Sequence, residues 1–134
     1  MGEVVVRVRL SNAGDVERVH QGLATPAEVR SCEVDAVVDT GSTRSVIPAE
    51  IAERLGLTLI DHAVGRLANG TSVNVGICGG VRFEVMNRRT VEEAYIMGSD
   101  VLIGQTTLEA TDLLVDCKEQ KLIGKPAEGP VFRL

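Results

Sequence analysis

The chain has 134 residues, enough to close one hydrophobic core and too few to divide comfortably into two, so a single domain is expected. Hydrophobic residues make up 44% of it and charged residues 25%, a globular balance, while an aromatic share of 2% requires an aliphatic core. The formal net charge is -5 and the basic residues are scattered, which leaves no basic footprint for neutralising phosphates and argues against nucleic acid as a partner.

Val4, Val6, Val8 and Leu10 alternate with Arg7 and Arg9 in the period of a half-buried strand, and Val34, Ala36 and Val38 repeat the pattern before Asp39. Between them Ser11 to Ser31 is polar and holds Gly14, Gly22 and Pro26, which reads as a long connection with room for a short extra strand. "PAEIAERLGL" predicts a short helix: Pro48 suits its first turn, Ile51 and Leu55 share a face, and Gly56 suits the carboxyl-terminal cap. Val73, Val75 and Ile77 predict one strand, and Val81, Phe83 and Val85 predict another beyond Gly79-Gly80. Asn69-Gly70 is the strongest hairpin dipeptide, since both residues tolerate the positive φ of a type I′ turn, with Leu67 and Val73 flanking the tip.

Ala94 to Met97 and Val101 to Ile103 read as buried strands, and Thr106 to Ala110 as one helical turn. Leu113 to Val115 and Leu122-Ile123 form a last hairpin across "DCKEQK". The chain is therefore expected to be mostly β, with residues 1–124 as the domain and the Gly- and Pro-rich residues 125–134 as a tail or an arm that reaches a neighbour.

Cys32, Cys78 and Cys117 are odd in number, widely spaced and without a C-x-x-C pair, which speaks against a disulfide framework and a zinc site; buried or semi-buried thiols are expected. His20 and His62 lie far apart and read as surface or capping residues. There is neither an apolar run of about 18 residues nor a basic-then-apolar leader pattern, so the expected location is the cytoplasm, away from the membrane.

In "VVDTGSTRSVIP" an apolar strand delivers an aspartate into the turn Asp39-Thr40-Gly41-Ser42-Thr43. A plain structural explanation exists, because aspartate and threonine bond their own backbone in turns and glycine relieves the bend. The company is more specific: "RLANGTSV" and "VLIGQTTLEATDLLVD" follow in order, the second carrying Leu102-Ile103-Gly104. Taken together, from Val34 to Ile123, the chain resembles the retroviral-type aspartic proteases, the single-domain relatives of pepsin, and their bacterial cousins more closely.

The resemblance implies an all-β, single-domain retropepsin-like barrel with a flap hairpin and one or two short helices, active as a homodimer. It makes Asp39 the catalytic carboxylate and Thr40 the residue whose hydroxyl braces paired loops, with Gly41 allowing close backbone approach. Ser42 takes a position from which a hydroxyl can bond the carboxylate and favour its ionised form. Leu67, Ala68, Asn69, Gly70 and Thr71 become the flap tip over the substrate, and Leu102, Ile103 and Gly104 the psi-loop segment threading beneath the active turn.

Peptide hydrolysis by carboxylates needs two, one to take a proton from water and one to polarise the scissile carbonyl. The chain supplies one Asp-Thr-Gly; Ser99-Asp100 and Asp116-Cys117 lack the threonine and glycine. The second carboxylate is therefore expected from the Asp39 of another copy across a two-fold axis, with an extended polypeptide as substrate and no metal or organic cofactor. Arg44 places a cation just past the turn, its direction open. The competing expectation is a catalytically silent module of the same fold that dimerises or binds peptide.

Overall fold

The computed structural model describes residues 3–124 and 129–134. β1 (Val5–Asn12) and β2 (Ser31–Val38) form where the alternation predicts them, and pair antiparallel with Val8 opposite Val34 and Leu10 opposite Cys32. One face of the pair buries Val8, Leu10, Cys32 and Ala36, while on the other Arg7 meets Asp35 in an exposed ion pair at 3.3 Å.

After β2 come β3 (Val46–Ile47), α2 (Ala49–Arg54), β4 (Leu59–Arg66), β5 (Ser72–Val85), β6 (Arg88–Ile96), β7 (Val101–Ile103) and α3 (Gln105–Thr111). The strand order β1-β2-β7-β3-β6-β5-β4, with a further β1–β5 pairing, closes six strands into a barrel and leaves β4 on the outer edge of β5. β8 (Leu113–Asp116) and β9 (Lys121–Gly124) pair as a separate two-stranded sheet, as the sequence predicts. The all-β expectation holds, and the core is aliphatic apart from Phe83, fully buried with Leu10, Ile47, Leu55 and Ile103.

The structure departs from the sequence reading at several places. Ser11 to Ser31 holds no extra strand; it contains the helix α1 (Ala13–His20) and a 3-10 turn at Pro26–Glu28. Asn12 starts the helix by accepting the Asp15 N–H at 3.0 Å, while its own amide donates to the Leu55 carbonyl at 2.9 Å. None of the helix's residues is buried, so no strong apolar stripe advertises it.

The two strands expected around Gly79-Gly80 are one strand, β5, with a bulge there: the register to β6 shifts between Cys78 and Val81, and Gly80 has φ +69°. Before the bulge β5 pairs with β4, and beyond it with β1, so the glycines mark the barrel's corner. At the β4–β5 tip Gly70 has positive φ and Asn69 does not, so no type I′ turn forms there. The Gly70 N–H donates to the Leu67 carbonyl at 2.9 Å and Asn69 Oδ1 accepts the Thr71 N–H at 2.9 Å, a longer loop with the glycine at its end. The two-residue turn with both φ angles positive is Met86-Asn87 between β5 and β6, at 50° and 63°.

Cys32 and Cys78 are buried, and burial pushes both thiols up, but Cys117 is exposed rather than semi-buried. His20 and His62 lie at the surface as expected. Residues 125–128 of the expected tail lie outside the described residues. Among the described residues no helix is long and apolar enough to cross a membrane.

Candidate active site

Asp39 stands where β2 leaves the barrel, its N–H donating to the Ile103 carbonyl of β7 at 2.9 Å. It is half-buried, and the turn holds it by its own backbone: the Gly41 N–H donates to Asp39 Oδ1 at 3.0 Å and the Ser42 N–H to the Asp39 carbonyl at 3.1 Å. A Cβ on Gly41 would lie 3.2 Å from that same carboxylate oxygen, so glycine lets the amide approach it. A carboxylate accepting an N–H in this way is fixed in direction while Thr40 and Gly41 beside it remain exposed.

The Ser42 hydroxyl does not bond the carboxylate. It donates to the Arg44 carbonyl at 2.6 Å, because the turn bends far enough for a side chain to satisfy the backbone two residues on. The direction of Arg44 is also settled: its guanidinium pairs with Glu93 at 3.1 Å and lies 5.8 Å from the centroid of the Tyr95 ring. The cation thus lies along β6.

β7 runs between β2 and β3, parallel to the first and antiparallel to the second, with Leu102 opposite Val37 on one side and Val46 on the other. This places Leu102 and Ile103 beside Val37 and Val38 at the end of β2, with Gly104 following beneath the Asp39 turn. Gly104 allows the crossing, since a Cβ there would collide with the Arg44 carbonyl and come within 2.9 Å of the Ser42 carbonyl oxygen. Just past it the Gln105 N–H donates to the Ser42 carbonyl at 2.8 Å and the Thr106 N–H to the Thr43 carbonyl at 2.9 Å.

Side chains that the sequence reading passed over complete this support. The Gly104 N–H donates to Ser45 Oγ at 2.9 Å, Ser45 Oγ lies 2.5 Å from Thr107 Oγ1, and Thr107 Oγ1 donates to Glu92 Oε1 at 3.0 Å. Because the Thr107 proton goes to Glu92, Ser45 supplies the proton of the bond between the hydroxyls, and the chain runs one way from Gly104 to the carboxylate. Thr106 Oγ1 adds a second donor to Glu92 Oε1 at 2.9 Å. A buried serine between Arg44 and Val46, and threonines inside a short helix, carry no motif that would have marked them.

A cleft of about 300 Å³ opens from Gly41, Ser42 and Thr43 towards the β4–β5 hairpin. Its walls include Val46, Ala63, Val64, Val75 and Met97 and also Leu67 from the hairpin's loop; Ala68, Asn69, Gly70 and Thr71 of the expected flap tip are exposed beyond. Among the described residues lining the cleft none is Asp or Glu; Asp39 stands just outside it, next to the lining residues Gly41 and Ser42 of the same turn. A depression of about 420 Å³ on the far side of Arg44, lined by Glu92, Glu93 and Thr106, is separate from it.

No curated protein matches the chain. A family model described as aspartyl protease matches residues 25–124, which takes in every strand from β2 to β9, the Asp39 turn and the segment beneath it. The chain therefore belongs to the aspartyl protease family, within the pepsin and retropepsin-like group.

Proposed function

We propose that the protein is an aspartic endopeptidase that hydrolyses extended polypeptides between two Asp39 carboxylates, one from each of two identical chains. The observation that carries this reading is the single Asp-Thr-Gly turn, with Asp39 held by the Gly41 N–H beside a cleft that begins at Gly41 and has no Asp or Glu among its described lining residues. A two-fold axis beside the turn brings the missing group as Asp39 of the second chain, and the exposed Thr40 of each chain braces the other's loop.

Two carboxylates a few ångströms apart do not both ionise readily and hold one proton between them, an effect for which aspartic proteases are the standing example. The ionised member takes a proton from water as the water attacks the scissile carbonyl, and the protonated member donates to the carbonyl oxygen. The tetrahedral intermediate collapses as the now protonated carboxyl donates to the leaving nitrogen and the other carboxylate takes back the proton of the hydroxyl that reverts to a carbonyl, which leaves the pair with one shared proton. The substrate lies extended along the cleft, where Val46, Val75 and Met97 favour apolar side chains, and the β4–β5 hairpin with its Leu67 to Thr71 tip serves as the flap.

The test is hydrolysis of a mixed peptide library by the parent and by Asp39→Ala. The reading expects cleavage by the parent and none above background by the variant. Equal cleavage removes Asp39 from the chemistry and overturns the reading, and cleavage by neither alongside peptide binding by both replaces it with the silent peptide-binding module.

A further inference from the structure

Glu92 and Glu93 are consecutive on β6, and a strand turns successive side chains to opposite faces. Glu93 takes the exposed side, where it pairs with Arg44. Glu92 turns to α3, and its Oε1 accepts the Thr106 and Thr107 hydroxyls at 2.9 and 3.0 Å. Its Oε2 is buried and has no partner among the described residues. A buried carboxyl oxygen left unsatisfied costs stability, so the glutamate is accounted for by what its other oxygen holds.

That acceptor sets the direction of the Thr107 hydroxyl. A threonine inside a helix ordinarily turns its hydroxyl to its own backbone, as Thr111 of α3 does by donating to the Thr107 carbonyl at 2.7 Å. Thr107 donates to Glu92 instead, which leaves its oxygen open to the Ser45 hydroxyl, and Ser45 accepts the Gly104 N–H. That N–H belongs to the peptide group whose carbonyl, on Ile103, accepts the Asp39 N–H at 2.9 Å. The bonds therefore run unbroken from the Asp39 amide through one peptide group, Ser45 and Thr107 to the Glu92 carboxylate, every donor pointing the same way. Bonds aligned like this polarise one another, and a carboxylate at the accepting end strengthens each link back to the first. Ser45 and Thr107 are fully buried, so water does not compete for them.

We propose that Glu92 is a positioning residue for peptide hydrolysis: by accepting Thr107 at the end of this chain of bonds it fixes the Asp39 backbone, and with it the placing of the carboxylate; this rests on the endopeptidase reading above. Asp39 is then held from two sides. The Gly41 N–H fixes its Oδ1 from within the turn, and the bonds from Glu92 fix its amide from beneath. None of Ser45, Glu92 and Thr107 lines the cleft, so breaking the chain leaves substrate binding in place and slows the chemical step.

The experiment uses the full chain and compares Glu92→Leu, Glu92→Gln and Thr107→Val with Val8→Ala, a core variant on β1 that loosens the barrel without touching the chain of bonds. Glu92→Leu and Thr107→Val are each expected to lower kcat by about ten- to a hundredfold with KM within about twofold. Glu92→Gln keeps an acceptor for both threonines and is expected to recover most of that loss. Val8→Ala is expected to lower the unfolding midpoint and leave kcat unchanged. In parallel, amide hydrogen exchange is followed at Asp39 and Gly104, with Val38, whose N–H donates to the Val4 carbonyl, as the reference. Glu92→Leu and Thr107→Val should speed Asp39 and Gly104 at least about tenfold more than Val38, whereas Val8→Ala speeds all three alike. Where Glu92→Leu does not fold, Thr107→Val, close to the parent in shape, carries the test. Losses in kcat that follow lost stability across all four variants, or Asp39 exchange that keeps pace with Val38, overturn the proposal. A parent that hydrolyses no peptide removes the endopeptidase reading, and the exchange at Asp39 then upholds or overturns the positioning by itself.

Discussion

Gly104 and Arg44 meet backbone to backbone beneath the Asp39 turn, so closely that a side chain at Gly104 would occupy the space of the Arg44 carbonyl. This contact joins the loop that presents the carboxylate to the segment entering α3, and the Gln105 and Thr106 N–H groups continue it by bonding Ser42 and Thr43. Gly104→Val is expected to lower stability by more than about 3 kcal/mol, because the colliding atoms are backbone and cannot rotate away. Thermal unfolding measures it, with Thr58→Ala at the surface as comparison; equal midpoints would contradict the threading.

Arg88 is 5% exposed at the start of β6 and donates from Nη1 to the carbonyls of Thr111 and Asp112 at 3.0 and 2.6 Å. It thereby ties the barrel to the end of α3, where the chain turns into β8. Arg88→Leu leaves both carbonyls without this donor and is expected to cost about 2–3 kcal/mol in urea unfolding, against about 0.5 kcal/mol for Arg7→Leu in its exposed pair.

Asp15 is lowered from 3.8 to about 2, chiefly by the Arg30 side chain, which it meets at 2.9 Å, and then by the Arg30 N–H at 3.0 Å. The folded state thus binds fewer protons at this site than the unfolded chain, so the contribution is complete above about pH 4 and disappears as pH falls towards 2. In urea titrations Asp15→Asn should be less stable than the parent at pH 7 and converge with it near pH 2. A gap that persists at pH 2 would assign the loss to something other than this charge pair.

The β4–β5 hairpin carries the exposed run Leu67 to Thr71, and among those residues the Leu67–Thr71 and Leu67–Gly70 backbone bonds close the loop. If the hairpin closes over peptide, amide exchange of Leu67 to Thr71 should slow at least about tenfold when a peptide-mimicking aspartic protease inhibitor binds. Equal exchange with and without inhibitor would rule out its role as a flap.

The barrel was legible wherever one face of a strand is buried, as in Val8 and Leu10 of β1 or Val81, Phe83 and Val85 of β5, because burial writes a period of two into the sequence. The resemblance pointed to the Asp39 turn and to Gly104, and the close backbone approach at Gly104 admits few residue types. The helix α1 was hidden because it buries nothing and is set by one cap, Asn12. The hairpin at Met86-Asn87 was hidden because methionine is not a residue that positive φ predicts. Ser42 was misdirected for a related reason: which acceptor a hydroxyl takes in a tight turn depends on loop geometry, and the Arg44 carbonyl was nearer to hand.

The central claim is that each active site needs Asp39 from two chains, and mixing tests it most directly. Parent and Asp39→Asn protein, combined in equal amounts and allowed to exchange subunits, pair at random, so about a quarter of the dimers carry two aspartates. At fixed total concentration, peptidase activity should fall to about a quarter of an all-parent sample. Activity that falls to about half, as independent single-chain sites would give, would contradict the account and require Asp39 to find its partner carboxylate within its own chain.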